Sequence, residues 1–351
     1  MQDGVMRVDA MGDVRADPSG HDAEALAAEV AGFDGIALPE TRHDVFVSAA
    51  VAARATERIT VTSAIAVAFA RNPMSVAVAA NGLQLVSRGR FRLGLGSQVR
   101  SHIERRFSMP WSRPAERMEE FVAAVRAVWA RWAHGERLHF TGEFYQHTLM
   151  TDFFDPGPNP YGNPAIVLAA VGPRMTRVAG RIADGLLCHS LTSSDYLRDV
   201  TMPAVREARA GAPGRFDVTL PVLTALGRDA TERASAEAAV RRQLGFYAST
   251  PAYRAVLDHH GWGVLHERLH RLSRQQAWDE MAAAVPDDVL DAFAIAGTPH
   301  EVADTAVRRY GGLTDRISLY TPEPVDPTLL TDAVTALNAA RGTRIGTHGS
   351  A

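Results

Sequence analysis

The sequence contains no lysine; all 37 of its basic residues are arginine. Arginine stays protonated and does not form Schiff bases, so its exclusive use excludes lysine-dependent aldolases and pyridoxal-phosphate enzymes. The same absence excludes the phosphate-binding loop G-x-x-x-x-G-K-[ST].

Cysteine is almost absent as well, since Cys188 is the only one. One cysteine excludes an intrachain disulfide and cysteine-rich metal sites. Because Cys188 lies in the apolar run Gly185–Ser190, we predict a buried thiol rather than a reactive one. The serine-nucleophile pattern G-x-S-x-G is missing too.

Long blocks of one charge and long apolar runs are also missing. The net charge is −3, so binding to nucleic acid or to an anionic membrane surface has no support. No run approaches the ~18–20 apolar residues of a membrane span, and the first twenty residues lack a signal-peptide pattern. We therefore expect a cytoplasmic protein that acts on a small molecule.

Short apolar runs alternate with amphipathic segments along the whole chain, a pattern typical of parallel sheets covered by helices. Counting a first strand near the N-terminus, eight strands are predicted, the number that closes a (β/α)8 TIM barrel. The later strands are Gly35–Glu40, Ile59–Phe69, Phe91–Gly96, Ala165–Ala170, Gly185–Ser190, Phe216–Leu226 and Arg316–Tyr320. The clearest helix is Glu116–Trp132, and another is predicted at Tyr196–Ala210.

We expect one α/β barrel domain over residues 1–342, with insertions at about 100–115, 134–164 and 250–291, and a disordered tail over 343–351. A doubly wound open sheet is the alternative. Its dinucleotide fingerprint G-x-G-x-x-G begins at Gly94 and Gly96 but fails at Val99, where the third glycine belongs.

In a barrel, chemistry lies at the C-terminal ends of the strands. One such end runs from Ala169 through Gly172-Pro173-Arg174 into a helix, whose free N–H groups can bind an anion. An ordinary turn with an N-terminal proline is the alternative. Small residues at Thr62-Ser63-Ala64 leave room either for a flat ring or for a closely packed helix.

A different hypothesis comes from His266-Glu267-Arg268-Leu269-His270, which matches the zinc pattern H-E-x-x-H. Two imidazoles one helical turn apart would hold a metal for hydrolysis. The extended motif fails at Ser273 and Gln276, and the segment lies far from the strand ends. We therefore assign no metal site and keep a zinc hydrolase as a remote alternative.

Several stretches, taken in order and spacing, resemble the bacterial-luciferase-like monooxygenase superfamily, and more closely its branch that uses the deazaflavin coenzyme F420. The resemblance covers about residues 5–320. The stretches that carry it are GFDGIALPETRHD, TSAIAVAFARNP, SRGRFRLGLGSQVRSHIERRF, AAVGPRMTRVAGRIADGLL, GEFYQHTLMTDFFDPGP and FYASTPAYR.

The resemblance implies a (β/α)8 barrel with an insertion and a homodimer. It also implies a hydride transfer between F420 and a small organic substrate. A non-proline cis peptide would support the cofactor ring on the third strand, at Ser63–Ala64. The cofactor contacts implied by the resemblance are Glu40, Ser63, Ala64, Gly96, Ser97, Gln98, Val171, Gly172, Pro173, Arg174 and Met175.

The resemblance further places an acid at Glu40, but Thr41 follows where relatives carry a histidine. His43, His147 or His189 would then move the proton, and Arg100, His102 and His189 would line the substrate pocket. A reduced-FMN monooxygenase of the same fold is the alternative, and a non-catalytic flavin-binding protein is another.

Overall fold

The computed structural model describes residues 5–212 and 214–347. Its strands, in chain order, are β1 Arg7–Met11, β2 Gly35–Leu38, β3 Thr60–Ser63, β4 Ala66–Val67, β5 Phe91–Gly96, β6 Phe140–Thr141, β7 Gln146–His147, β8 Ala165–Ala170, β9 Gly185–Cys188, β10 Asp217–Leu226, β11 Ala294–Gly297 and β12 Arg316–Tyr320.

Eight parallel strands close a barrel in the order β1-β2-β3-β5-β8-β9-β10-β12. The closing pair joins the first and last barrel strands, with Val8 opposite Ile317. Strand β4 continues the edge of β3 beside β5, and β11 pairs with the C-terminal half of β10 outside the ring. The predicted (β/α)8 TIM barrel is confirmed.

Helices surround the barrel. They are α1 His21–Ala31, α2 Val45–Ala55, α3 Pro73–Val86, α4 Arg100–Arg105, α5 Pro114–His134, α6 Pro173–Ile182, α7 Ser194–Tyr196, α8 Met202–Ala208, α9 Ala230–Ala248, α10 Arg254–His259, α11 Gly263–Arg274, α12 Trp278–Ala283, α13 Asp287–Phe293, α14 Pro299–Tyr310 and α15 Pro327–Thr347. Buried apolar side chains of the strands and these helices form the main core, in which Trp129 and Phe121 of α5 are largely or wholly enclosed.

The structure corrects several predicted element bounds. The third strand is two short strands, and the 3₁₀ turn Ala68–Ala70 follows it. The helix predicted at Tyr196–Ala210 consists of α7, the π turn Leu197–Thr201 and α8. Strand β11 and the hairpin β6–β7 are absent from the prediction because both are short and lie beside the barrel. The predicted disordered tail overlaps the end of α15, and 348–351 lie outside the described residues.

The insertion predicted at 250–291 folds as the 3₁₀ turn Pro251–Tyr253 followed by α10 to α13. Its apolar side chains form a second cluster with α9, with the C-terminal half of β10 and with Ala294, the first residue of β11. A hydrogen bond of 2.7 Å between Ser193 Oγ and His260 Nε2 ties it to the loop after β9. The insertion therefore packs over the C-terminal side of the barrel.

Candidate functional site

The C-terminal ends of the barrel strands form an accessible mouth. Partly exposed residues occupy it, whereas the strands that lead to them are buried. These residues include Ala64, Ile65, Ser97, Gln98, Val171, Gly172, His189 and Tyr320. Most of them are predicted as site residues from the sequence, so the barrel does bring those segments to one face.

The cis peptide bond joins Ala64 to Ile65, and the predicted position, Ser63–Ala64, is wrong by one residue. The strand geometry explains the shift. Ser63 still pairs with Leu38 of β2, and the Ala64 N–H donates to the Leu38 carbonyl at 2.7 Å. Regular pairing therefore continues through Ser63, and the break between β3 and β4 comes after it.

The break between β3 and β4 explains why β5 has no side chain at Gly94 and Gly96. The Ser63 hydroxyl accepts from the Gly94 N–H and donates to the Gly94 carbonyl, both at 2.9 Å. A Cβ on Gly94 would lie 1.8 Å from the Ser63 carbonyl oxygen, and one on Gly96 would lie 2.7 Å from Ile65 Cδ1. These two glycines therefore make room for the bulged third strand itself.

Helix α6 begins at the mouth with its N-terminus open. Gly172 is the N-cap and Pro173 the first helical residue, and no side chain in the described part of the chain caps the first turn. The N–H groups of Arg174 and Met175 therefore have no helical acceptor. A Cβ added to Gly172 would meet no described atom within 4 Å, so an anionic group has room to approach.

The arginines near this helix start are paired with acidic side chains. Arg174 is bound to Glu116 at 2.6 Å, and Arg177 lies 3.5 Å from Glu207. Both pairs are exposed at the surface. The attraction for an anion at α6 therefore comes from the backbone dipole and N–H groups rather than from these side chains.

His189 lies after β9 at the centre of an aromatic cluster. Its ring is 4.5 Å from the Tyr247 ring and 4.3 Å from the Tyr253 ring, measured between centroids. The Leu191 N–H donates to His189 Nδ1 at 3.1 Å, so the neutral ring carries its proton on Nε2. Burial lowers the pKa of His189 to about 4. At neutral pH, His189 is an uncharged hydrogen-bond donor through Nε2.

A third tyrosine, Tyr320, completes this cluster. The Tyr247 hydroxyl lies 3.3 Å from the Tyr320 hydroxyl at the end of β12. Burial, followed by the neighbouring Tyr320, raises the pKa of Tyr247, and burial raises that of Tyr253. The Tyr247 and Tyr253 hydroxyls therefore keep their protons near neutral pH. We name the group His189, Tyr247, Tyr253 and Tyr320 the mouth cluster.

Glu40 is close to the mouth, but its carboxylate is fully engaged. It accepts from both terminal nitrogens of Arg71, at 2.7 and 2.8 Å, and from the Val67 N–H at 2.8 Å. Arg71 also binds Asp44 at 2.7 Å. These contacts hold β4 against the loop after β2, so they assign Glu40 a positioning role; a catalytic role stays a prediction.

The other predicted polar residues are more dispersed. His43, Arg100 and His102 are exposed, and Arg100 pairs with Glu104 at 2.9 Å. His147 belongs to the β6–β7 hairpin, where burial lowers its pKa and Phe140 lies 6.5 Å away. No described contact joins any of these four to the mouth cluster, and their predicted roles stay predictions.

His266 and His270 have a structural function in the fold. Their Nδ1 atoms face the Ala248 and Ser249 carbonyl oxygens at 2.7 and 3.0 Å. These carbonyls end α9, so the two imidazoles cap its C-terminus. Among the described residues there is no group of three or more histidine, cysteine or acidic side chains arranged to hold a metal.

Cys188 is buried, as the sequence predicts, and burial raises the pKa of its thiol to about 12.

The family can now be assigned. The chain is a (β/α)8 barrel with a β3–β4 break, an open α6 N-terminus and a polar-aromatic mouth. The luciferase-like monooxygenase family model matches residues 5–316, and the chain belongs to this family. No helix in the described part of the chain is long and apolar enough to cross a membrane.

Curated relatives extend the comparison. An uncharacterized protein of Mycobacterium tuberculosis is 48% identical over 296 residues, 84% of this chain and 87% of its own length. A phthiodiolone/phenolphthiodiolone dimycocerosates ketoreductase of the same species is 32% identical over 244 residues, 67% of this chain and 62% of its own.

Solved structures share the fold at low identity. A coenzyme F420-dependent tetrahydromethanopterin reductase of Methanopyrus kandleri has a TM-score of 0.78 at 18% identity, covering 94% of this chain and 97% of its own. An F420-dependent secondary alcohol dehydrogenase in complex with an F420–acetone adduct has a TM-score of 0.71 at 16% identity. The match covers 95% of this chain and 99% of that one. A third match is the oxygenating constituent of a 3,6-diketocamphane monooxygenase of Pseudomonas putida, in complex with FMN. Its TM-score is 0.68 at 14% identity, and the match covers 97% of this chain and 99% of that one.

Proposed function

We propose that this protein is an F420-dependent oxidoreductase that moves a hydride between the deazaflavin and a carbonyl or alcohol group of a small organic substrate. The observation that carries the proposal is the mouth cluster. It presents an uncharged imidazole N–H and protonated phenol hydroxyls at the barrel mouth. Such donors suit a carbonyl oxygen on which negative charge develops.

The mouth also fits a cofactor with a flat ring and a phosphate. Ala64 and Ile65 are partly exposed at the β3–β4 break and would support the ring. The α6 N-terminus, with open space around Gly172, would hold the phosphate, and Ser97 and Gln98 lie at the neighbouring strand end. When bound, F420 supplies or accepts the hydride.

The protein's residues act on the substrate oxygen. His189 Nε2 and the Tyr247 hydroxyl would donate hydrogen bonds to a carbonyl oxygen and so stabilise charge on it. The Tyr247 hydroxyl holds the proton that the resulting alkoxide takes, and Tyr320, at 3.3 Å, keeps that hydroxyl in place. Tyr253 packs against His189 with ring centroids 4.3 Å apart and would exclude water from the imidazole.

The name of the ketoreductase relative supports reduction of a keto group. The structural neighbours leave the cofactor open, because F420-dependent and FMN-dependent enzymes share this fold. A reduced-FMN monooxygenase, which the family name describes, is the second candidate.

A direct assay separates the candidates. Purified protein is incubated anaerobically with reduced F420 and a panel of aliphatic and aromatic ketones, and the reoxidation of F420 is followed by absorbance. The proposal expects ketone-dependent reoxidation without oxygen. Turnover that requires oxygen and reduced FMN, with no reaction in the F420 assay, would contradict it.

A further inference from the structure

The floor of the barrel, at the N-terminal ends of the strands, is polar. Barrel interiors are usually filled by branched apolar side chains. Here two arginines are enclosed instead: Arg92 of β5 is 8% exposed and Arg316 of β12 is 1% exposed. Buried guanidinium groups are costly unless their N–H groups find acceptors.

The acceptors supplied by the protein are too few. Arg316 Nη1 donates to Asp9 and, at 3.1 Å, to Thr60 Oγ1, whereas its Nε and Nη2 have no partner in the described chain. Arg92 Nη2 reaches Asp217 only at 3.4 Å, and its Nη1 has no partner among the described residues. A guanidinium carries five N–H donors, so several buried donors face this space without an acceptor.

Three hydroxyl groups face the same compartment. Thr62, Thr219 and Ser318 are each at most 2% exposed, and their side-chain oxygens have no partner within residues 5–212 and 214–347. Strand register places Thr62 opposite Arg92, Thr219 opposite Arg316 and Ser318 opposite Asp9. Residues opposite each other on adjacent strands share a face of the sheet, so these hydroxyls lie with the arginines.

The charge balance favours an anion over water. Asp217 divides its carboxylate between Arg92 and Arg215, the latter at 2.8 Å. Asp9, itself 1% exposed, pairs with only one nitrogen of Arg316. A water molecule would accept two hydrogen bonds but add two donors of its own, whereas an anion only accepts.

We propose that the barrel floor binds a small inorganic monoanion, such as chloride, between Arg92 and Arg316 with hydroxyl donors from Thr62, Thr219 and Ser318. The site lies in the closed end of the barrel, beneath the mouth, and is independent of the cofactor. Its ligand accepts hydrogen bonds from the buried arginines and stabilises the fold.

The first test is crystallographic. Crystals of the wild-type protein are soaked in sodium bromide, and anomalous diffraction is measured at the bromine edge. The expected result is a single strong anomalous peak in contact with both guanidinium groups. Density that refines as water, with no anomalous peak at the floor, would overturn the proposal.

The second test measures thermal unfolding in sodium chloride against sodium gluconate at equal ionic strength. Wild-type protein should show a saturable rise in Tm with chloride. Thr219→Val, which removes one donor and keeps the shape, should need roughly tenfold more chloride for half of the rise. Thr224→Val on the same strand, where the hydroxyl binds the Val222 carbonyl at 2.8 Å, should respond as wild type does. An identical response in gluconate and chloride would contradict a bound anion.

Discussion

His189 contacts two tyrosine rings, and the Leu191 N–H fixes which of its nitrogens carries the proton. The aromatic surroundings remove water from the ring, so burial lowers its pKa to about 4. At the scale of single residues, the site therefore rests on donors that stay protonated and uncharged near neutral pH.

Removal of one hydroxyl from the mouth cluster should weaken catalysis without unfolding the protein. Tyr247→Phe deletes the proposed proton donor and keeps the ring that packs on His189. We expect kcat/KM with a ketone substrate to fall roughly 100-fold, with the affinity for F420 unchanged. The exposed Tyr161→Phe is the control and should behave as wild type. An unchanged kcat/KM in Tyr247→Phe would remove Tyr247 from the mechanism.

Folding stability should depend on His189 at acid pH. Its folded pKa of about 4 lies below the ordinary value of 6.5, so the unfolded chain binds the extra proton first. The neutral ring's contribution to the free energy of unfolding is complete above pH 6.5. It is lost as the pH falls toward 4, and the loss is about 3 kcal/mol at most. Urea unfolding at pH 7 and pH 4.5 measures it. His189→Gln should show a smaller loss of stability over this range, and an equal loss in both proteins would contradict the buried neutral ring.

The sequence predicts part of this site, for reasons visible in particular residues. His189 can be found because it follows an apolar strand, where a barrel places its chemistry. Tyr247, Tyr253 and Tyr320 escape prediction because they come from α9, the insertion and the last strand, and only the folded chain brings them together. The segment FYASTPAYR, which carries Tyr247 and Tyr253, contributes to the sequence analysis only through the family resemblance.

At the scale of elements, the β3–β4 break determines what its neighbours can be. Strand β5 must carry glycine at position 94, because the Ser63 carbonyl occupies the position of a side chain.

The motif around His266 and His270 shows that a sequence pattern can suggest a function the structure does not use. Its spacing matches a metal site, yet the helix uses both imidazoles to cap α9. Spacing alone cannot distinguish the two because both place the rings on one helix face.

Gly94→Ala should therefore be strongly destabilising. The added methyl group meets backbone rather than a flexible side chain, so β3 or β5 must move, at a cost of about 3 kcal/mol or more. Chemical denaturation of the purified variant measures the loss. Gly82→Ala in α3, where no described atom lies within 4 Å of the new Cβ, is the control and should be neutral or slightly stabilising. Equal stability of the two variants would contradict the close approach of β3 and β5.

At the scale of the whole molecule, alternation of apolar runs is enough to predict a closed barrel, since each run is buried on both faces. The sequence predicts where the insertion that covers the mouth lies, but not how it folds. Its helices pack through a separate apolar cluster that has no simple periodicity in the sequence.

The surface also carries large exposed apolar side chains. Phe153 is 89% and Phe154 70% exposed, and Leu149 is 77% exposed.

We expect this exposed apolar segment, 149–154, to lie in the interface of the predicted homodimer, because large apolar groups in a cluster favour association. Phe153→Ser with Phe154→Ser should shift the protein from dimer to monomer in sedimentation velocity. Val264→Ser, which changes an apolar residue that is 82% exposed on α11, is the control and should leave the oligomer intact. A wild-type protein that sediments as a monomer would contradict the expectation.

The central claim is the deazaflavin site at the barrel mouth, and the most direct measurement is a binding titration of the protein with oxidised F420 and, in parallel, with FMN, followed by fluorescence. We predict clear preference for F420. Gly172→Asp places a negative charge at the open start of α6 and should abolish binding while leaving the fold intact by circular dichroism. Preference for FMN, or unchanged F420 affinity in Gly172→Asp, would contradict the account.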